Sequence, residues 1–417
     1  MGEKFVITHD DLNTVAVDME VGRLDAAKRM AEHQQEVLKK TPSSRRMMPG
    51  GSIWRKSMFY MPIFALIASL LAWTIGEVDL KLEFDDTKHF IKDQLEREMK
   101  FQTDNYSDYS YSYSYDYNLR EERQKKFRSE QNERLERFKE QQETYQAIWM
   151  IILGAFLAIA LSVAEPVVSM NHKRFASNAF VGLLLGALVG YLTSLFINDL
   201  YKELGGGQVG SDPLETQQII ARSVGWSIFG GLAALTPGIL MRNWKKLILG
   251  LFGGLIGGFV GGAFFDVMGV WLEGTSLMEW ISETAEVEPA IVSRMIAIVA
   301  IYVFTAIAMT FLEDIAKQGW LKVATGVITG KQFILYRNPT VIGSSPNCEI
   351  YLFKDATVAP RHVSINCYGG KYILAALNNA NVLVNGVSIR QATLKTGDQI
   401  RVGNTVFLFE AKIQKGG

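Results

Sequence analysis

Six long apolar runs constrain this chain more than any other feature. They cover about Ser57–Gly76, Ala147–Val168, Asn178–Ile197, Val224–Met241, Leu247–Leu272 and Ala290–Leu312. Each approaches or exceeds the ~20 residues a helix needs to cross ~30 Å of hydrocarbon, where backbone amides must be satisfied internally. Buried helices of a soluble protein rarely stay apolar for so long, so the runs predict six membrane spans. All eight tryptophans (Trp54, Trp73, Trp149, Trp226, Trp244, Trp271, Trp280 and Trp320) lie near predicted span ends, where an amphipathic ring prefers the headgroup region.

The connecting loops assign an orientation. Arg45, Arg46, Arg55 and Lys56 precede the first run, "NHKR" (Asn171–Arg174) follows the second, and "RNWKK" (Arg242–Lys246) follows the fourth. The alternate loops are acidic, with Asp199, Glu203, Asp212 and Glu215 on one and Glu273, Glu279, Glu283, Glu286 and Glu288 on the other. Lys and Arg are retained on the cytoplasmic side, so six spans place both termini there, in a bacterial inner membrane. The formal net charge is zero, which argues against wholesale attraction to nucleic acid. Two cysteines, Cys348 and Cys367, make no disulfide framework, and the polar first fifty residues do not resemble a removable signal peptide.

Within the apolar region there is an internal repeat. "AFVGLLLGALVGYLTSLFIND" (Ala179–Asp199) aligns without a gap on "LILGLFGGLIGGFVGGAFFDV" (Leu247–Val267), so that Gly182, Gly186 and Gly190 fall on Gly250, Gly254 and Gly258. The first span echoes the spacing with Ala68, Ala72 and Gly76. The pattern reads as three helical hairpins, two of them clearly related. Small residues at every fourth position let a neighbouring backbone approach closely, so these six glycines are expected to be helix-packing surfaces rather than a pore lining. Intramembrane charge is sparse, with Glu165, Asp266 and Arg294 placed near the boundaries.

Between the first two spans, "YSDYSYSYSYDY" (Tyr106–Tyr117) reads as a flexible linker. The segment Leu119–Tyr145 follows it and reads as a solvated helix with i,i+4 ion pairs, its apolar positions Phe127, Leu135, Phe138 and Tyr145 too sparse for a coiled coil. Leu12–Leu38 is expected to be helical. Catalytic signatures fail: "GGGQVG" (Gly205–Gly210) lacks a βαβ context, and His9, His33, His89, His172 and His362 show no ligand spacing. No enzyme, metal or cofactor is expected.

From about Trp320 the pattern becomes short β-type runs divided by turn residues: "QFILY", "EIYLF", "HVSINCY", "KYILAAL", "VLVNGVSI", "DQIRVG" and "VFLFE". That spacing predicts a β-sandwich of around ninety residues. The blocks "PTVIGSSPNCEIYLF", "APRHVSI", "NVLVNGVSI" and "LKTGDQIRVGNTVFLFE" together resemble the forkhead-associated (FHA) family. By that resemblance Gly343, His362, Asn385-Gly386, Gly397-Asp398 and Gly403 are framework positions, and Ser344, Ser345, Arg361, His362, Asn381 and Asn385 lie on the binding loops. The phosphothreonine-reading positions depart from the family. Ser344 stands where an Arg is usual, Ala359 where a Ser is usual, Pro360 follows, and Ala380-Asn381 replaces an Asn-Gly. Without the Arg fork, phosphate loses its strongest charge-assisted bonds, leaving Arg361 and Lys331 as candidate cations nearby.

The chain therefore reads as four parts: a cytoplasmic helical segment (1–56), a six-helix membrane domain (57–312) with an extracytoplasmic insert (77–146), and a cytoplasmic FHA-like sandwich (318–413). The expected function is a non-enzymatic, self-associating membrane scaffold. Its partners would be the lipid bilayer, further copies of itself and a cytoplasmic protein, but no nucleic acid. The alternative is a channel or transporter regulated by the FHA-like domain.

Overall fold

The structure, a computed structural model, describes residues 55–79, 85–109, 117–205, 216–272, 275–276, 289–353 and 355–412. The expected N-terminal helix, most of the Tyr/Ser alternation, all but the first residue of "GGGQVG" and the acidic loop at 277–288 lie outside them. Helices α1 (Ser57–Trp73, continued by a wider turn, Thr74–Asp79), α2 (Asp85–Tyr109) and α3 (Tyr117–Val168) come first. They are followed by α4 (His172–Ser194), α5 (Ile197–Glu203), α6 (Thr216–Ala233) and α7 (Thr236–Leu240). Last are α8 (Trp244–Leu272) and α9 (Pro289–Ala316). Among the described residues, six stretches are helical, long and apolar enough to cross a membrane: Ser57–Glu77, Glu121–Val168, His172–Ser194, Thr216–Leu240, Trp244–Phe264 and Val292–Ala316.

The glycine stripes sit where helix backbones meet. A Cβ built on Gly186 would lie 2.2 Å from the Gly154 carbonyl of α3, and one on Gly190 would lie 2.1 Å from that of Met150. Gly182 faces Ile159 and Ala158 with slightly more room. In the same way Gly250, Gly254 and Gly258 of α8 would meet the carbonyls of Ala234, Gly230 and Trp226 at 2.2, 2.3 and 2.3 Å. Each stripe thus packs on the helix that precedes it, pairing α3 with α4 and α6 with α8. The alternate glycines of "GGLIGGFVGG" form a second face: Gly253, Gly257 and Gly261 lie against Met309, Thr305 and Ile301 of α9. Helix α4 has no such second stripe, and its outer face, with Phe180 63% and Leu184 54% exposed, is apolar and uncovered.

Residues 85–109 were not assigned an element by the sequence pattern, yet they form α2, which lies antiparallel along the polar half of α3. Phe90 stacks on Phe138 and Phe101 on Phe127, both at 4.1 Å, with Arg134 and Asp93 paired between them at 2.9 Å. The sparse apolar positions of α3 suffice because α2 supplies an aromatic partner at the matching register.

The C-terminal sandwich has eleven strands: β1 (Gly319–Thr325), β2 (Gln332–Ile334), β3 (Thr340–Gly343), β4 (Ile350–Tyr351), β5 (Val363–Tyr368), β6 (Lys371–Ala376), β7 (Val382–Val384), β8 (Val387–Ile389), β9 (Gln391–Leu394), β10 (Gln399–Val402) and β11 (Thr405–Ala411). One sheet runs β2-β1-β11-β10-β7-β8 and the other β4-β3-β5-β6-β9. Inward-facing Leu321, Ile342, Val363, Leu374, Val402 and Phe407 fill the space between them, every second residue along a strand pointing to the core. Asn385 and Gly386, at φ 52° and 83°, make the tight β7–β8 turn that the right-handed strand twist favours.

Candidate functional site

The loops at one end of the sandwich are held together by their own side chains. His362 is buried; its Nδ1 accepts from the Ala359 amide at 3.0 Å, so Nε2 carries the proton and donates to the Asn381 carbonyl at 3.1 Å. His362 therefore ties the β4–β5 loop to the β6–β7 loop. Asn385 is equally structural, bonding Asp398 and the Gln399 amide at 2.9 Å each. Gly343 passes so close to Pro360 that a Cβ would lie 2.2 Å from its carbonyl. Ser344 turns its hydroxyl inward to the Val358 carbonyl at 2.8 Å, away from any ligand. Asn381 accepts from Ser388 at 2.9 Å on the exposed side, and Ser345 accepts from the Asn347 amide at 3.4 Å. Arg361 is exposed, and Lys331 is elsewhere, buried against the helices. Burial also pushes the Cys348 thiol up, and that group donates to Pro360.

The helical bundle grips this sandwich at both of its equivalent turns. Met170 and Arg242 adopt left-handed backbone at φ 56° and 48°, and each is followed by an asparagine that caps the next helix. Asn171 accepts from the Arg174 amide at 3.1 Å and Asn243 from the Lys246 amide at 2.9 Å. The same two side chains donate outward, Asn171 to the Pro346 carbonyl at 3.0 Å and Asn243 to the Tyr336 carbonyl at 3.1 Å. Arg174 adds a bond to the Asn347 carbonyl at 3.3 Å, and Arg55 reaches the Val327 and Thr329 carbonyls at 3.0 Å. The β3–β4 loop, which carries Ser344 and Ser345, is thus closed onto the α3–α4 turn.

Beneath the sandwich lies a buried charge cluster that the sequence pattern did not suggest. Lys246 of α8 sits 3.3 Å from Glu165 of α3 and 3.5 Å from Glu313 of α9. Lys331, only 1% exposed, comes down from the sandwich and donates to the Tyr60 hydroxyl of α1 at 2.8 Å. It also stacks over the Tyr60 and Phe333 rings. Burial pushes the Lys331 ammonium down to about 8, against the opposing pull of Glu165. The Tyr336 hydroxyl is pushed up by burial and then by Glu313 and Glu165. A cavity of about 370 Å³ runs along this junction. Four ionisable groups, drawn from three helices and the sandwich, thus meet at this junction, with Lys246 pairing both carboxylates and Lys331 held on Tyr60. At the opposite end of the bundle a second pair, Glu77 and Arg294, is bidentate at 2.9 Å. The signal missed was position: Glu165, Lys246 and Glu313 each stand within a turn or so of a span end, where a charge reads as snorkelling to water.

Comparison with known proteins bears on the sandwich alone. Residues 322–412 match the Yop-YscD cytoplasmic-domain family, described as "Inner membrane component of T3SS, cytoplasmic domain". No curated protein matches the chain. Among solved structures, an FHA domain studied for phosphothreonine-dependent interactions is 24% identical with a TM-score of 0.22, covering 23% of this chain and 99% of that one. The FHA domain of a Chlamydia trachomatis protein is 26% identical with a TM-score of 0.21, covering 23% of this chain and 100% of that one. An FHA domain from Arabidopsis thaliana is 21% identical with a TM-score of 0.21, covering 24% and 91%. The C-terminal sandwich, FHA-like in its sequence motifs, is thus similar over residues 322–412 to the cytoplasmic domain of a T3SS inner-membrane component.

Proposed function

We propose that this protein is a non-enzymatic membrane scaffold that displays its FHA-like domain as a phosphate-independent docking module fixed to the cytoplasmic face of a six-span bundle. The observation that carries this reading is the closed β3–β4 loop. Its Ser344 hydroxyl is spent on Val358, and its Pro346 and Asn347 carbonyls are held by Asn171 and Arg174. A reader of phosphothreonine needs free donors on this loop, an Arg fork among them, whereas here the Ser344 donor is spent and the loop backbone is pinned to the bundle. The full-length protein is expected to bind a phosphothreonine peptide library no better than its unphosphorylated counterpart, measured by calorimetry. Selective micromolar binding of the phosphorylated set would overturn the reading.

In this proposal the parts are an N-terminal cytoplasmic segment (1–56), the membrane domain (57–312), its outer insert (77–146) and the FHA-like module (318–413). Self-association through the uncovered apolar face of α4 belongs to the same proposal. Against conduction, the formal charges in or directly flanking the apolar runs lie toward their two ends, Glu165, Lys246 and Glu313 at one and Glu77, Asp266 and Arg294 at the other. Arg55, both asparagine-capped turns and the FHA-like domain gather at one end of the bundle, as a cytoplasmic face rich in Lys and Arg requires. In a cysteine-free background, Glu130→Cys is expected to react with an impermeant maleimide in intact cells and Lys395→Cys only after lysis. The reverse pattern would sink the topology.

A further inference from the structure

On the side of the β3–β4 loop that faces the bundle, a cleft of about 680 Å³ opens between the α7–α8 turn and the β2–β3, β3–β4 and β4–β5 segments. Three arginines from separate parts of the chain line it: Arg242 from the bundle, Arg337 and Arg361 from the sandwich. Its one carboxylate, Glu349, is already occupied by Arg337 at 2.6 Å and the Val341 amide at 2.9 Å. Arg242 and Arg361 are exposed and have no carboxylate partner among the described residues. Ser345 accepts a bond from the Asn347 amide, which leaves its hydroxyl proton available to the cleft. The equivalent turn of the other hairpin carries uncharged Met170 in the same left-handed conformation, so the backbone does not demand an arginine at Arg242.

We propose that this cleft is an anion site that takes a phosphate group, either the head of an anionic phospholipid or free inorganic phosphate. Guanidinium forks match phosphate oxygens in geometry as well as charge. The position suits the ligand: Arg242 lies two residues past one apolar helix and two before the next, beside Trp244, which is 71% exposed. That is the depth at which lipid phosphates lie. The site joins two parts of the chain, so its ligand would bridge bundle and sandwich.

The test uses the full chain in nanodiscs of phosphatidylcholine, with either phosphatidylglycerol mixed in or inorganic phosphate added, and reads thermal midpoint and apparent affinity. Wild-type protein should gain stability saturably in at least one arm, and the arm that responds names the source. Arg242→Gln and Arg361→Gln should each weaken the apparent affinity by about tenfold, the scale of one charge-assisted bond. Lys245→Gln, a neighbouring charge outside the cleft, should respond like wild type. Should Arg242→Gln fail to fold, Arg242→Lys serves in its place, expected to keep the unliganded midpoint while losing affinity severalfold with the fork. The assignment is overturned by no saturable response in either arm, by cleft variants that respond as wild type, or by Lys245→Gln losing as much as they do. It is equally overturned if a phosphothreonine peptide occupies the protein with an affinity Arg242→Gln leaves unchanged.

Discussion

Gly254→Leu should yield no stable bundle, because the first atom of the new side chain would sit 2.3 Å from the Gly230 carbonyl and 2.8 Å from the Ala234 Cβ. Backbone cannot yield as a flexible side chain does, so the cost should exceed the ~1–3 kcal/mol typical of overpacked cores. Gly186→Ala is the milder version, since even one methyl group meets the Gly154 carbonyl at 2.2 Å and should cost about 2 kcal/mol or more. Leu184→Ala, on the uncovered face of α4, should leave the thermal stability nearly unchanged. The measurement is thermal stability and elution volume in detergent. Wild-type values for both glycine variants would refute close packing along the stripes.

The charge cluster should respond in opposite ways to the loss of its two lysines. Lys246→Met leaves Glu165 and Glu313 facing each other in a buried site, and removing one partner of such a network costs about 3–5 kcal/mol. Lys331→Met instead replaces a desolvated ammonium by an apolar group of similar length, and the sandwich should stay docked. It should also lose a pH dependence. Docked Lys331 titrates at about 8 and a free lysine at 10.5, so between those values the docked state holds fewer protons. Docking of the wild type should therefore tighten as pH rises from about 8 towards 10.5, with no contribution from this group below that window. Limited proteolysis of the 317–318 junction across that range would show it. A flat wild-type profile, or a Lys246→Met protein as stable as its parent, would refute the assignment.

How much of this was readable beforehand depends on the distance over which each signal acts. The six long apolar helices were legible because hydrophobicity accumulates within twenty consecutive residues. The sandwich was legible because turn residues such as Asn385-Gly386 and framework positions such as His362 are local. Strands β1, β3 and β9 escaped notice: β1 abuts a helix end, and β3 and β9, four residues each, adjoin a proline and another strand. The glycine stripe at Gly250, Gly254 and Gly258 was visible, whereas Gly253, Gly257 and Gly261 lay in the same string and needed only the second residue of each pair to be read as another face. The cluster of Tyr60, Glu165, Lys246, Glu313 and Lys331 was not legible. Its members are separated by up to 271 residues, and only the packing of four helices under the sandwich brings them together. The resemblance likewise placed Lys331 near the recognition loops as a free cation, which its burial against Tyr60 corrects.

Only Lys317 and Gln318 separate the end of α9 from the start of β1. A domain on so short a leash cannot search a volume for partners as a tethered head would. Any pull exerted on the sandwich passes without slack into α9 and, through the asparagine mounts at 171 and 243, into α4 and α8 as well. A load applied to the sandwich is therefore shared among three helices.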